Sequence, residues 1–175
     1  RSIHFFYLST DLYQTSVCLV IDLDDRFLPF IDGLFVDPIE SAQIIDTTLM
    51  SIEQQIKQSY SGCAFGAALK AACLALTEYG GGQILSTLSQ IPIVSPGKLN
   101  LKVSDVNEIE WIKSICTPSD KYYQQLLKEF VANNVALNLF VAPQRSVDLG
   151  NLGNLAVKSG GTVREWYHFD IERDE

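Results

Sequence analysis

Histidines, carboxylates and hydroxyls are the groups with which this chain could bind a metal or catalyse a reaction, and they are sparse. Only two histidines occur, His4 and His168, each within an aromatic segment that predicts a strand. A Ser-His-Asp triad or a histidine-based metal site needs a histidine with partners beside it in a loop or at a strand end. We therefore expect both histidines to be strand residues and no catalytic site to be built on them.

Acidic residues gather at two places, where they could act as acid–base catalysts or as ligands of a hard cation. Asp22, Asp24 and Asp25 follow a predicted strand in the sequence DLDDR, and Glu108 and Glu110 lie in the segment EIEW. A polar connection after a strand is most often a solvated turn. We therefore expect no catalytic carboxylates.

Glycine-rich segments are the candidates for phosphate binding. YGGGQ at 79–83 and GNLGNL at 150–155 lack the G-x-G-x-x-G spacing of a dinucleotide site and the G-K-[ST] end of a P-loop. YGGGQ also leads from a predicted helix into a predicted strand, the wrong direction for pointing a helix N-terminus at a phosphate. We expect both segments to cap helices or form turns.

A divalent cation at the carboxyl edge of a parallel sheet is the remaining chemistry that the pattern suggests. Von Willebrand A-like domains often hold one with Asp-x-Ser-x-Ser, a threonine before a later helix and an aspartate after the next strand, because hard cations need oxygen ligands. Here the loop before that helix offers Cys63 and Phe65, the next strand ends with Thr87 and Ser89 but no aspartate, and Asp-x-Ser-x-Ser is absent. The sequence predicts no cation site, and we interpret GCAFGAALKAACLAL (62–76) as a packing helix whose small residues approach the sheet.

Composition excludes several classes of protein. The 175 residues are 47% hydrophobic and 19% charged, which is typical of one globular domain, and the formal net charge of −8 comes with scattered basic residues. Nucleic-acid binding needs a basic patch that is missing here. No apolar run reaches the length of a membrane span, so any membrane association would be peripheral.

The cysteines favour a cytosolic protein with reduced thiols. Cys18, Cys63, Cys73 and Cys116 show no C-x-x-C spacing and lie in apolar sequence. We expect buried thiols and no disulfide framework.

Helical and extended segments alternate along the chain. Strands are predicted at Ser2–Ser9 and Ser16–Leu23, with a shorter one around Asp32 and Gly33. The sequence DPIE at 37–40 predicts a helix start, with Ile45, Leu49, Ile52 and Ile56 on its apolar stripe. Further predicted elements are a helix ending at YGGG, a strand at 83–89, an irregular connection at 90–116 that could contain a helical turn, a helix after TPSD, a strand at 135–142, a helix ended by Gly160 and Gly161, and a strand at 162–169.

This order predicts an α/β fold with a mainly parallel sheet covered by helices. The chain starts at an arginine and almost at once enters a predicted strand. We therefore expect residues 1–175 to be one partial domain of a larger protein, incomplete at its N-terminus.

Several segments in order resemble one family. SIHFFYLS, LVIDLDDRFLPFIDGLFVDPIES, CAFGAALKAACLAL, GGGQILSTLSQIP, the Y-x-x-L-L-K-E helix and VALNLFVAPQRSVDL resemble the trunk domain of the Sec-twenty-four (Sec24) family, the cargo adaptors of the COPII vesicle coat. The likeness spans nearly all 175 residues. FLPFIDGLFV and PQRSVDL favour the cargo adaptor over the trunk of the sister Sec-twenty-three subunit, which remains the alternative together with a cation-dependent von Willebrand A-like adhesion module.

The resemblance implies a von Willebrand A-like, Rossmann-like trunk in a cytoplasmic, non-enzymatic coat protein at endoplasmic reticulum exit sites. Its implied partners are the sister inner-coat subunit and, through the full-length protein, cytoplasmic tails of cargo and SNARE proteins. The family's structural zinc belongs to a segment not found in this chain, so we expect no cofactor here. The resemblance assigns no catalytic, metal, cargo-binding or partner-binding residue.

Overall fold

The computed structural model describes residues 3–8, 16–23, 33–58, 62–100, 108–143 and 147–174. The chain divides into two compact units, Arg1–Gly62 and Cys63–Glu175. In chain order the elements are β1 (Ile3–Tyr7), β2 (Ser16–Val20), α1 (Ala42–Gln58), α2 (Phe65–Thr77), β3 (Gly82–Leu88), α3 (Glu108–Cys116), α4 (Lys121–Ala132), β4 (Val135–Val141), α5 (Leu149–Lys158), β5 (Val163–Glu165) and α6 (Ile171–Asp174).

The first unit begins with an antiparallel pair of strands. β1 pairs with β2 so that Ile3 lies opposite Val20 and Tyr7 opposite Ser16. Both predicted strands are therefore confirmed, although each is shorter than predicted. The predicted third strand falls partly outside the described residues, and Gly33 lies in a turn with φ of 84°, where its carbonyl accepts a hydrogen bond from the amide of Leu8 (2.7 Å).

The DPIE segment forms a capped turn directly before α1, and the regular helix begins later, at Ala42. The Asp37 carboxylate accepts hydrogen bonds from the amides of Ile39 (2.8 Å) and Glu40 (3.1 Å), and a turn then leads into α1 at Ala42. The predicted apolar stripe is wrong at one position, since Leu49 is 58% exposed whereas Thr48 is buried. Thr48 fits there because its hydroxyl donates to the carbonyl of Ile44 (2.7 Å).

The second unit is built on a parallel sheet in the order β3-β4-β5. β4 is central and its side chains alternate, with Val135, Leu137, Leu139 and Val141 at most 1% exposed and the residues between them less buried. Helices α2, α4 and α5 contact β4, and α4 contacts both α2 and α5. The apolar faces of these three helices therefore cover the buried face of the sheet, with Phe130, Leu152 and Leu155 fully buried.

Two predicted segments differ from the structure. The irregular connection at 90–116 holds more than a turn, because its last part forms α3, a helix of nine residues that contacts α5. The predicted strand at 162–169 is wrong beyond Glu165. Trp166 stacks on Phe140 (ring centroids 6.1 Å apart) and His168 has a positive φ of 51°, so the aromatic residues end the strand by packing instead of continuing it.

The cysteines differ in burial, and one of them departs from the prediction. All four are free thiols. Cys73 is buried and Cys18 and Cys63 are half-buried, whereas Cys116 is exposed at the end of α3. The expectation of burial is therefore wrong for Cys116, because the apolar sequence around it belongs to a helix end that the rest of the unit leaves open.

Candidate functional site

The carboxyl edge of the parallel sheet collects the loops in which an α/β domain would place ligands. The Cys63 carbonyl, just before α2, accepts hydrogen bonds from the amides of Ile93 and Val94 (both 3.2 Å), in the loop that follows β3. The amide of Ala142, after β4, donates to the carbonyl of Leu88 (2.9 Å). The N-terminus of α2 and the ends of β3 and β4 therefore meet at one edge.

Two adjacent tyrosines at the start of α4 close this edge. Asp120 caps α4 by accepting from the amides of Tyr122 (2.9 Å) and Tyr123 (3.2 Å). The Tyr122 hydroxyl donates to the Gly66 carbonyl (2.9 Å), and the Tyr123 hydroxyl donates to the Gly97 carbonyl (2.7 Å). These two hydrogen bonds, which we call the tyrosine ties, therefore connect α4 to α2 and to the loop after β3.

The contact between α2 and the loop leaves room only for glycine. A Cβ at Gly66 would lie 2.6 Å from the Pro96 carbonyl oxygen and 2.9 Å from the Gly97 Cα. Gly97 itself has a φ of 82°, which favours glycine. The small residues of this helix were predicted to approach the sheet, whereas Gly66 lies against the loop at Pro96 and Gly97.

Burial sets the protonation of the groups at this edge. It raises the pKa of Tyr123 strongly, with smaller contributions from Tyr122 and Asp120. It also raises the pKa of the Cys63 thiol, which a hydrogen bond involving the backbone of Phe65 partly opposes. Both groups therefore stay neutral at physiological pH, so Tyr123 acts as a hydrogen-bond donor and Cys63 is a poor nucleophile.

A buried polar cluster joins the N-termini of α4 and α5. The Asn151 side-chain oxygen accepts from the amides of Ser119 and Asp120 (both 2.9 Å). Its side-chain amide donates to the Asp148 carboxylate (2.8 Å), which also accepts from the Asn151 backbone amide (3.1 Å). Asn151 is only 2% exposed, so its side-chain oxygen is a buried acceptor for these two partly buried hydrogen bonds.

The residues that a cation would need do not converge at this edge. Phe65 is buried in the core and Cys63 is half-buried beneath the loop. Thr87 and Ser89 are exposed at the end of β3. Across the described ranges, no group of three histidine, cysteine or acidic side chains is arranged to hold a metal.

The other candidate residues are dispersed. His4 is exposed in β1, as predicted, whereas His168 lies in a turn and not in a strand. Asp22 is exposed after β2, Asp24 and Asp25 lie outside the described residues, and Glu110 is exposed on α3. None of the described ones belongs to a group of three acidic, histidine or cysteine residues that could hold a metal ion.

The two glycine-rich segments have different structural roles. YGGGQ provides the turn after α2 and then the first two residues of β3, so its predicted role in a turn is confirmed. GNLGNL lies inside α5 and does not cap it, so that part of the prediction is wrong. It is helical because Asp148 caps the segment and Leu152 and Leu155 anchor one face in the core.

Neither the Asn151–Asp148 cluster nor the hydrogen bonds of Tyr122 and Tyr123 were predicted from the sequence. The capping aspartates carried a local signal, since Asp120 and Asp148 each precede a predicted helix. No pattern in the sequence around Asn151 indicates that its side chain accepts hydrogen bonds from two amides more than thirty residues away. Such partners follow only from the tertiary fold.

The described residues thus define an α/β domain whose sheet edge is closed by hydrogen bonds, and no helix among them is long and apolar enough to cross a membrane. The family described as "Sec23/Sec24 trunk domain" matches residues 1–175. The chain belongs to this family, and its curated relatives are of the Sec24 kind.

Two curated relatives and one solved structure illustrate the match. SED5-binding protein 3 of Saccharomyces cerevisiae is 34% identical over 99% of this chain and 19% of its own length. Protein transport protein Sec24C of Homo sapiens is 28% identical over 100% of this chain and 16% of its own length. The crystal structure of the human COPII-coat protein Sec24c superposes with a TM-score of 0.90 at 28% identity, covering 99% of this chain and 24% of that one.

These comparisons confirm the predicted α/β trunk fold and the resemblance to the Sec24 family. The chain spans only 16% to 24% of the length of these relatives, so it corresponds to one segment of such proteins. It is a Sec24-type trunk segment that fits a vesicle-coat role.

Proposed function

We propose that this segment is a non-enzymatic trunk of a COPII cargo adaptor that contacts the sister inner-coat subunit and supports cargo selection in transport from the endoplasmic reticulum to the Golgi. The observation that carries the proposal is the match of sequence and fold along the whole chain to a trunk of this coat. A sheet edge closed by buried hydrogen bonds agrees with a scaffold role.

The names of the relatives support the proposed partners. One relative is named for binding SED5 and others for protein transport, which supports cytoplasmic tails of cargo and SNARE proteins as ligands of the full-length protein. Location at endoplasmic reticulum exit sites, with peripheral membrane association through the assembled coat, is part of the same proposal. So is the absence of a cofactor in this segment.

Association with the sister subunit tests the proposal. The full-length polypeptide that carries this chain is mixed with the purified sister subunit and followed by analytical ultracentrifugation at about 1 μM of each. We expect a one-to-one complex. An outer-coat subunit serves as the negative control, and two independently sedimenting species would overturn the proposed coat role.

Binding of divalent cations would distinguish a cation-dependent adhesion module from the proposed scaffold. Calorimetric titration with Mg²⁺ and Mn²⁺ is expected to give no saturable heat, because the strand that ends with Thr87 and Ser89 is not followed by an aspartate in the sequence and the described residues include no group of three potential metal ligands among histidine, cysteine and acidic side chains. Micromolar binding that is abolished by Thr87→Ala but not by Thr77→Ala, a helical threonine elsewhere, would favour the adhesion module.

A further inference from the structure

A cleft of about 570 Å³ opens in the second unit beside α5. It is lined by residues that follow all three parallel strands, among them Ile91 after β3, Val147 after β4 and Tyr167 after β5, and by the last turn of α3. Ligands of parallel α/β sheets bind at this edge, and the volume lies within the range of ligand sites. Neither the tyrosine ties nor any candidate cation residue belongs to it.

The cleft follows α5 along its length. Leu149 and Gly150, Gly153 and Asn154, and Val157 and Lys158 line it, which is the spacing of one helix face. A helix of ten residues is about 15 Å long, and an extended chain covers this distance with four or five residues. The dimensions therefore fit a short extended peptide.

The walls of the cleft are mostly apolar. Ile91, Ile115, Val147, Leu149 and Val157 line it, and Val157 is 62% exposed to solvent. An aliphatic side chain would bury such a surface at a gain of about 25 cal/mol per Å². Asn100 and Asn154 also line the cleft and carry amides that can pair with a peptide main chain.

The charges at the two ends of α5 are opposite and differ in burial. Asp148 caps the N-terminus, is 7% exposed and has its carboxylate hydrogen-bonded to Asn151, so an anion is disfavoured at that end. Lys158 is exposed at the C-terminal end and has no ion pair with any residue placed by the structure. The charge that the cleft presents to a ligand is therefore positive and lies at one end.

We propose that this cleft binds an extended peptide of four or five residues, with an aliphatic side chain against the apolar wall and an acidic group paired with Lys158. This ligand deepens the cargo role proposed above and rests on it. Phosphate or nucleotide ligands fit less well, because the helix N-terminus that would bind them is occupied by Asp148.

Cys116 provides a built-in reporter, because its thiol is exposed and the residue lines the cleft. The full-length polypeptide is alkylated with iodoacetamide, and modification of Cys116 is followed by peptide mass spectrometry. The probes are acetylated, amidated Ser-Val-Val-Glu-Ser, its Val-Val-Gln analogue and its Asn-Asn-Glu analogue. We expect the first peptide to slow alkylation of Cys116 most, with no effect on the buried Cys73.

A charge variant and a matched control test the acidic contact. Lys158→Gln should weaken binding of the glutamate peptide by about three- to fivefold, which is the scale of one exposed ion pair. The affinity for the glutamine peptide should stay unchanged. Lys128→Gln removes an exposed lysine from α4, outside the cleft, and should change neither affinity. Both substitutions are on the surface, so folding is preserved.

Three results would overturn the cleft as a peptide site. They are no protection of Cys116 up to about 1 mM peptide, equal protection by the asparagine analogue, and equal weakening by the two lysine variants. Sedimentation with the sister subunit is measured on the same samples. Intact association without Cys116 protection refutes the cleft alone, whereas lost association in the unsubstituted protein refutes the coat role.

Discussion

The Tyr123 hydroxyl is buried and donates to a single carbonyl, that of Gly97. Burial raises its pKa in the folded protein above the value of about 10 in an unfolded chain. Folding therefore favours the protonated form, and this stabilisation is fully present below pH 10 and is lost as the pH rises toward the folded pKa. The edge of the sheet should consequently be sensitive to alkali.

We expect Tyr123→Phe to have two effects on the free energy of unfolding. Below pH 10 it should lower that energy by about 1–3 kcal/mol, because the buried Gly97 carbonyl loses its donor. Above pH 10 the unfolding free energy of the unsubstituted protein should fall by up to about 1.4 kcal/mol per pH unit, and the substitution should remove this dependence. Urea unfolding at a series of pH values measures both, with the exposed Tyr79→Phe setting the background. Parallel curves for the two variants above pH 10 would contradict the assignment.

Gly66 and Gly153 form a matched pair of helical glycines. An alanine Cβ at Gly66 meets backbone at 2.6 Å and 2.9 Å, whereas at Gly153 the nearest atoms are 3.8 Å away. Gly66→Ala should therefore lower the free energy of unfolding by about 1–3 kcal/mol. Gly153→Ala should raise it by about 0.5–1 kcal/mol, the gain in helix propensity. Thermal or urea unfolding compares them, and equal shifts would show that the loop yields to the new methyl group.

At the level of elements, local signals predicted where helices start better than which side chains they bury. The capping roles of Asp37 and Asp120 follow from neighbouring residues and were predictable. The exposure of Leu49 and the end of β5 at Glu165 depend on what packs against these elements. A single sequence does not contain that information in local form.

Asn151 carries the connection between α4 and α5. We expect Asn151→Ala to lower the free energy of unfolding by about 1–3 kcal/mol, because the partly buried amides of Ser119 and Asp120 lose their acceptor and the buried Asp148 carboxylate loses a donor. Asn154→Ala, one turn along the same helix and half-buried, is the control and should stay within about 0.5 kcal/mol. Similar losses in both variants, measured by urea unfolding, would argue against the cluster as the connection.

At the scale of the whole molecule, the alternation of helices and strands was sufficient to predict a parallel α/β fold, because that pattern has few packing solutions. Missing oxygen ligands in the sequence led to the expectation of no cation site, which stays a prediction, whereas the hydrogen bonds at this edge of the sheet could not be predicted. The ties from Tyr122 and Tyr123 to Gly66 and Gly97 join residues 26 to 56 positions apart. Only the folded chain brings them together.

The β1–β2 hairpin of the first unit should be less stable against local opening than the central strand β4 of the second unit. β1 and β2 form a two-stranded sheet, and such a hairpin is marginal without further packing. β4 is paired on both sides and its inward residues are at most 1% exposed. Hydrogen exchange by mass spectrometry should therefore show faster exchange in Ile3–Tyr7 than in Val135–Val141, since few buried contacts oppose local opening. β3, which pairs on one side with β4, is the internal control and should exchange at an intermediate rate. Equal protection of the hairpin and β4 would mean that the hairpin gains stability from packing beyond its own two strands.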